Sequence, residues 1–202
     1  MMFEAMGQEA IYHNLLLQAR KVYNAHDALC AFASFPDDTP AKAFEPEERP
    51  PCRLLQNERG LSSKHYADLQ KAIIDAAPYM KWRQIYTDAS QHMFMDRLGC
   101  YSVIGGGAPF TSDTIRLFVI YMPDGLYYPW HIHPAEEIYM VIAGKAIFKR
   151  AGHADEVLAE GQTMFHHTNQ PHAVETQNTP MLSLVAWRNH LDTPPILVDI
   201  DQ

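Results

Sequence analysis

The stretch from Gly125 to Gly144, GLYYPWHIHPAEEIYMVIAG, gathers the side chains best suited to hold a metal ion. His131 and His133 stand two residues apart, so an extended strand presents both imidazoles on one face. A proline-containing turn follows, then Glu137, with Tyr139 and Val141 on the same face of the next strand. Two imidazoles and a carboxylate delivered in this way converge on one ion. Such nitrogen and oxygen donors suit Fe(II), Mn(II), Ni(II), Co(II) or Zn(II). A fourth ligand is expected from a separate strand. In GQTMFHHTNQPH, residues 161–172, a glycine turn, a short strand, a polar turn and Pro171 lead to His172, which the strand HAVETQ carries inward with Val174 and Thr176. His166 and His167 are adjacent, so at most one of them faces an interior. His153 lies in a glycine-containing turn and reads as solvated.

Aromatic residues crowd the same region: Tyr121, Tyr127, Tyr128, Trp130, Tyr139, Phe165 and Trp187. Phe165 reads as core packing. Tyr139, two residues from Glu137 on one face, must border the same cavity as the ligands. An aromatic wall suits a cationic substrate, each cation–π contact contributing roughly 0.5–2 kcal/mol.

These ligands need elements that hold them. From about residue 82 short apolar or alternating runs recur: YTDAS, YSVIGG, IRLFVIYM, EEIYMVIAG, KAIFKR, QTMFHH, HAVETQ and MLSLVAWR, most of them separated by Gly, Pro, Asn or Asp. That pattern predicts an all-β barrel or sandwich. No helix of crossover length lies between the strands, which excludes a parallel α/β sheet. The first part of the chain differs. Ile11, Leu15, Val22 and Leu29 recur at helical spacing and predict a helix over 8–32, closed by Pro36. Residues 36–60 carry five prolines and read as a strap with little regular structure. A second helix is predicted over 63–76, begun by Ser62 or Ser63 and ended before Pro78. The expected organisation is a helical extension with its strap over 1–80 and a β unit over 81–202.

Composition narrows the function. A net charge of −8 and the lack of any basic run argue against nucleic acid. No apolar stretch approaches the roughly 20 residues needed to cross a bilayer. The N-terminus shows no signal-peptide pattern. Cys30, Cys52 and Cys100 are odd in number and far apart, which suggests thiols in a reducing cytoplasm rather than a disulfide framework.

The first segment matches the first cupin motif, G-x5-H-x-H-x3-E-x6-G, at every fixed position: Gly125, His131, His133, Glu137 and Gly144. The second segment resembles the second cupin motif more loosely, keeping Gly161 and His172 but placing His166 where a proline is common. The resemblance implies a mainly β chain, a single antiparallel cupin barrel with an N-terminal helical extension. It also implies one divalent metal ion held by His131, His133, Glu137 and His172. In some cupins only one of the paired histidines binds tightly, and His131 is the one in question.

The phrase HIHPAEEIYMVIAG, the Glu137–Tyr139 step, Tyr128, Trp187 and the helical extension together resemble the short bacterial cupin-type dimethylsulfoniopropionate (DMSP) lyases. That family cleaves a sulfonium propionate to dimethyl sulfide and acrylate by β-elimination. The resemblance implies Tyr139 as the base. It also implies Tyr128, Trp187 and Tyr121 as substrate-binding groups. The expected partner is a zwitterionic small molecule, bound by a monomer or homodimer. Three other readings compete. An Fe(II) cupin dioxygenase would require oxygen. A metal- or ligand-sensing module would use the helix at 8–32 as a partner face. A relative with the same site could act on another substrate. The strap at 36–60 or the loop at 104–109 could close over the pocket.

Overall fold

A computed structural model describes residues 2–87 and 92–200. Four helices come first: α1 (Met2–Asn24), α2 (Asp27–Phe32), α3 (Pro50–Asn57) and α4 (Ala67–Ala76). A short α5 (His92–Met95) precedes nine strands: β1 (Gly99–Ile104), β2 (Ile115–Met122), β3 (Tyr127–Ile132), β4 (Glu136–Arg150), β5 (Glu156–Ala159), β6 (Thr163–His166), β7 (His172–Glu175), β8 (Met181–Arg188) and β9 (Ile196–Leu197). All strand pairs are antiparallel. The strand order is β1-β2-β8-β4-β7-β3-β9, with β5 and β6 also paired to β4. The first half of β4 pairs with β6 and β8, the second half with β5 and β7. This one strand therefore joins both walls of the curled sheet.

Gly144 sits where β4 passes from one wall to the other. Its φ is +76°, and a Cβ there would lie 1.8 Å from the Pro180 carbonyl oxygen. Only glycine permits both the left-handed backbone and the close approach of another main chain.

Strand alternation sorts side chains into two cores. Leu117, Val119 and Tyr121 of β2, Ile138, Met140 and Ile142 of β4, and Leu182, Leu184 and Ala186 of β8 face a layer of helices. Leu15 and Tyr23 of α1 and Leu69 and Ile73 of α4 fill that layer, each fully buried large side chain contributing about 1.5–3 kcal/mol. Phe118, Ile120 and Met122 of β2, Tyr139 and Val141 of β4, and Val185 and Trp187 of β8 face the barrel interior instead.

The structure changes three expectations for the helical part. The helix expected over 8–32 is broken at Ala25–His26, where the His26 Nε2 donates to the Gly161 carbonyl at 2.9 Å and turns the chain. The strap contains α3, because Pro50 and Pro51 occupy the first turn, where a missing N–H costs nothing. The second helix starts at Ala67, after a turn in which Glu160 accepts the N–H groups of Lys64 and His65 and the Ser63 hydroxyl. The strand expected over 86–90 falls partly outside the described residues, and Tyr86 and Thr87 are not in a strand.

Candidate metal centre and active site

Three of the four ligand candidates come from two paired strands and the turn beyond one of them. His131 on β3 pairs with His172 on β7, and His133 follows the end of β3. Tyr128 pairs with Val174, so three residues of β3 span two of β7 between these registers. This bulge falls at Pro129 and Trp130, where a residue without an N–H is tolerated. It turns Tyr128 and His131, three apart, to the same side, with their rings stacked at 4.1 Å.

The three imidazoles are aimed by the backbone. Nδ1 of His131 donates to Pro129 O at 2.8 Å, that of His133 to Ala135 O at 2.9 Å, and that of His172 to Gln170 O at 2.8 Å. A carbonyl oxygen only accepts, so each proton sits on Nδ1 and each Nε2 keeps its lone pair free for a ligand bond. The Asn169 N–H donates to His133 O at 2.9 Å and ties the second cupin segment to the first.

Glu137 arrives from β4. Its Oε2 lies 3.5 Å from His133 Nε2 and 3.2 Å from His172 Nε2, and it accepts from His166 Nδ1 at 2.9 Å. Its Oε1 accepts from the Trp187 indole N–H at 2.6 Å. The carboxylate and all four histidines are buried. Burial works to raise the Glu137 carboxyl; positive charge on His133 and donor contacts from His133, His166 and His172 outweigh it and hold the group well below the usual carboxylate range, a pull that an ion on the same Nε2 atoms would supply in place of protons. Burial pushes His131 well below its ordinary value, reinforced by His172. Burial and His172 bring His166 down to about 3, so its ring is neutral at pH 7.

The Nε2 atoms of His133, His166 and His172 are buried and make no hydrogen bond among the described residues. Leaving such atoms unsatisfied is costly. Two overlapping triads, His131–His133–His172 and Glu137–His166–His172, each bring their ligand atoms within 4.8 Å of one another. A divalent ion beside Glu137 would satisfy the lone pairs of His133 and His172 and the carboxylate, and the mixed imidazole–carboxylate set matches transition-metal chemistry. The cluster could hold a metal ion.

Of the other expected site residues, Tyr128, Tyr139 and Trp187 line one cavity together with His131, His133 and Glu137. Its free volume of about 20 Å³ holds an occupant the size of an ion or a water. Burial pushes the Tyr139 phenol well above its ordinary value, and the Glu137 carboxylate pushes it the same way. Tyr121 is not brought there. It faces the helix layer, where its hydroxyl donates to Glu58 Oε2 at 2.9 Å, because it shares the parity of Leu117 and Val119 on β2. Phe165 also packs toward the helices, and Tyr127 is exposed.

Sequence reasoning passed over several groups at this cavity. Arg83, Ile85, Cys100, Phe118, Ile120 and Pro195 also line it. Tyr86 shares a buried hydrogen bond with Tyr128, O to O at 3.0 Å, and Phe94 stacks on Tyr128. No motif marks these residues. Long-range pairing alone brings them in.

Comparison with known proteins agrees with this geometry. The family model for dimethylsulfoniopropionate lyase matches residues 25–183. The dimethylsulfoniopropionate lyase DddQ of Ruegeria pomeroyi is 40% identical over 187 residues, spanning 92% of this chain and 93% of that protein. The crystal structure of DddQ from that organism superposes with a TM-score of 0.89 at 39% identity, covering 94% of this chain and 96% of the other. A chain from the crystal structures of the DMSP lyases RdDddP and RnDddQII gives 0.90 at 34% identity, covering 95% and 100%. This chain belongs to the DMSP lyase family.

Proposed function

We propose that this protein is a metal-dependent carbon–sulfur lyase that cleaves DMSP to dimethyl sulfide and acrylate by β-elimination. The observation that carries this reading is the single cavity lined by Tyr139, His131, His133, Glu137, Tyr128 and Trp187, with His172 behind it 3.2 Å from the Glu137 carboxylate, in a chain of the DMSP lyase family.

The α-proton of a carboxylate is weakly acidic because its loss places a second negative charge beside the first. One divalent ion, of Fe(II), Zn, Mn, Ni or Co, would be held by His133, Glu137 and His172, with His131 beside them, and would supply Lewis-acid polarisation of the substrate carboxylate. Tyr139 is the base: as a phenolate its oxygen takes the α-proton and becomes the neutral phenol, the C–H electron pair forms the carbon–carbon double bond, and the β-carbon–sulfur bond breaks with its electrons leaving on sulfur. Dimethyl sulfide departs neutral, which makes the sulfonium a good leaving group. In the bare site the phenol holds its proton too tightly to serve, so the role requires a cation nearby. Tyr128 and Trp187 line the cavity wall with aromatic rings, which suit the sulfonium end. Trp187 also holds Glu137 in place through its indole N–H.

Burial within a tight apolar cavity excludes water and strengthens each electrostatic contact. The free volume is smaller than DMSP, so the side chains lining the cavity must shift to admit substrate. A cytoplasmic setting fits the three free cysteines. Among the described residues no helix is long and apolar enough to cross a membrane.

The test is headspace detection of dimethyl sulfide after incubating the purified, metal-loaded protein with DMSP under nitrogen. Elimination consumes no oxygen, so full anaerobic turnover is expected. Turnover only in air would point to dioxygenase chemistry instead.

A further inference from the structure

Arg83 has no part in the cupin motifs, yet its side chain lines the same cavity as His131, His133, Glu137, Tyr139 and Trp187. The segment that carries it runs along the free edge of β1. Trp82 forms a bridge with Tyr101, and the Arg83 N–H donates to Cys100 O at 2.8 Å. Alternation then divides the two side chains. Trp82 turns into the helix layer, where its indole N–H donates to Ala77 O, and Arg83 turns toward the barrel interior beside Cys100.

The guanidinium sits over the Phe118 ring, 4.9 Å from its centroid, and Phe118 packs edge-on against Trp187 at 5.1 Å. Arg83 is half-buried and forms no ion pair among the described residues. The other arginine of this neighbourhood, Arg116, is already paired with Asp192. The Glu137 carboxylate is committed to Trp187 and the histidines. A planar guanidinium held by stacking and facing a cavity, with no carboxylate of its own, is matched to a carboxylate on a ligand.

We propose that Arg83 is the substrate-orienting residue of this site: it receives one oxygen of the ligand carboxylate, leaving the other to the histidine–glutamate side of the same cavity, and turns the cationic end toward the rings of Tyr128 and Trp187. This rests on the lyase reading for the identity of the zwitterion, but not for the preference for a carboxylate. A zwitterion entering in reverse would set its sulfonium against the guanidinium. Arg83 thereby selects the pose in which the α-carbon lies on the Tyr139 side.

The experiment measures binding of two half-substrates, propionate and trimethylsulfonium, to the metal-loaded protein by calorimetry. It compares the wild type with Arg83→Met and Arg83→Lys, and records DMSP kinetics and metal content for all three. Losing a charge-assisted contact weakens propionate binding in Arg83→Met by about ten- to a hundredfold. Trimethylsulfonium affinity stays level or rises, metal content is unchanged, and the KM for DMSP rises more than kcat falls. Arg83→Lys recovers part of the loss. Unchanged propionate affinity in Arg83→Met overturns the proposal. So does an equal loss for both probes, which would mark Arg83 as a packing residue. If the wild type releases no dimethyl sulfide but propionate still distinguishes the variants, the lyase reading fails and the carboxylate role stands.

Discussion

Replacing Trp187 by phenylalanine isolates one hydrogen bond at the centre of the site. The indole N–H is the donor to Glu137 Oε1, at 2.6 Å and fully buried, while Oε2 serves the histidines. Phenylalanine keeps a ring against His133, now 4.4 Å away, and against Phe118, but deletes the donor. A hydrogen bond to a buried charge is worth about 1.5–3 kcal/mol, and its loss leaves an unpaired oxygen on a carboxylate that must remain ionised to bind metal. At about 1.4 kcal/mol per factor of ten, metal affinity should fall roughly ten- to a hundredfold. Competition with a chromophoric chelator measures this directly. An affinity within twofold of the wild type would refute the view that Trp187 acts through Glu137.

Other perturbations test other parts of the structure. Tyr139→Phe should abolish dimethyl sulfide release while elemental analysis finds the metal retained; near-normal turnover would remove Tyr139 from the role of base. Gly144→Ala combines a positive φ with a 1.8 Å clash against Pro180 O, so it should cost about 3 kcal/mol or more and lower Tm by roughly 6 °C or more in a thermal melt. Glu160 accepts N–H groups from Lys64 and His65, and these contacts lower its carboxyl even though desolvation alone would raise it. Its stabilising effect is therefore present above the ordinary carboxylate range and is lost as pH falls through the depressed value. Melts of Glu160→Gln should show a lower Tm than the wild type at pH 7, with the gap closing in acid.

The ligand cluster was legible because its spacing encodes strand, turn and strand: His131, His133 and Glu137 reach one interior from a single short stretch, and His172 from the strand paired beside it. Tyr128 was harder. Simple alternation puts it opposite His131, and only the bulge at Pro129–Trp130 restores it to the cavity. Tyr121 shows the reverse problem. Ile115–Met122 is apolar at nearly every position because both faces of β2 are covered, so polarity does not tell the barrel side from the helix side. The paired prolines that suggested an irregular strap start a helix instead. Gly144, which reads as a break between two strands, is a bend within one strand of 15 residues. Arg83, Tyr86 and Cys100 carry no local signal, since their place depends on pairing between segments far apart in sequence.

The central claim is that the histidine–glutamate cluster and Tyr139 form one metal-dependent elimination site. The most direct measurement strips the protein with a chelator, restores a single divalent metal in steps, and follows dimethyl sulfide release against metal bound per chain. Release should be absent in the stripped protein and rise linearly to a plateau at one ion per chain. Undiminished release from metal-free protein would contradict the claim.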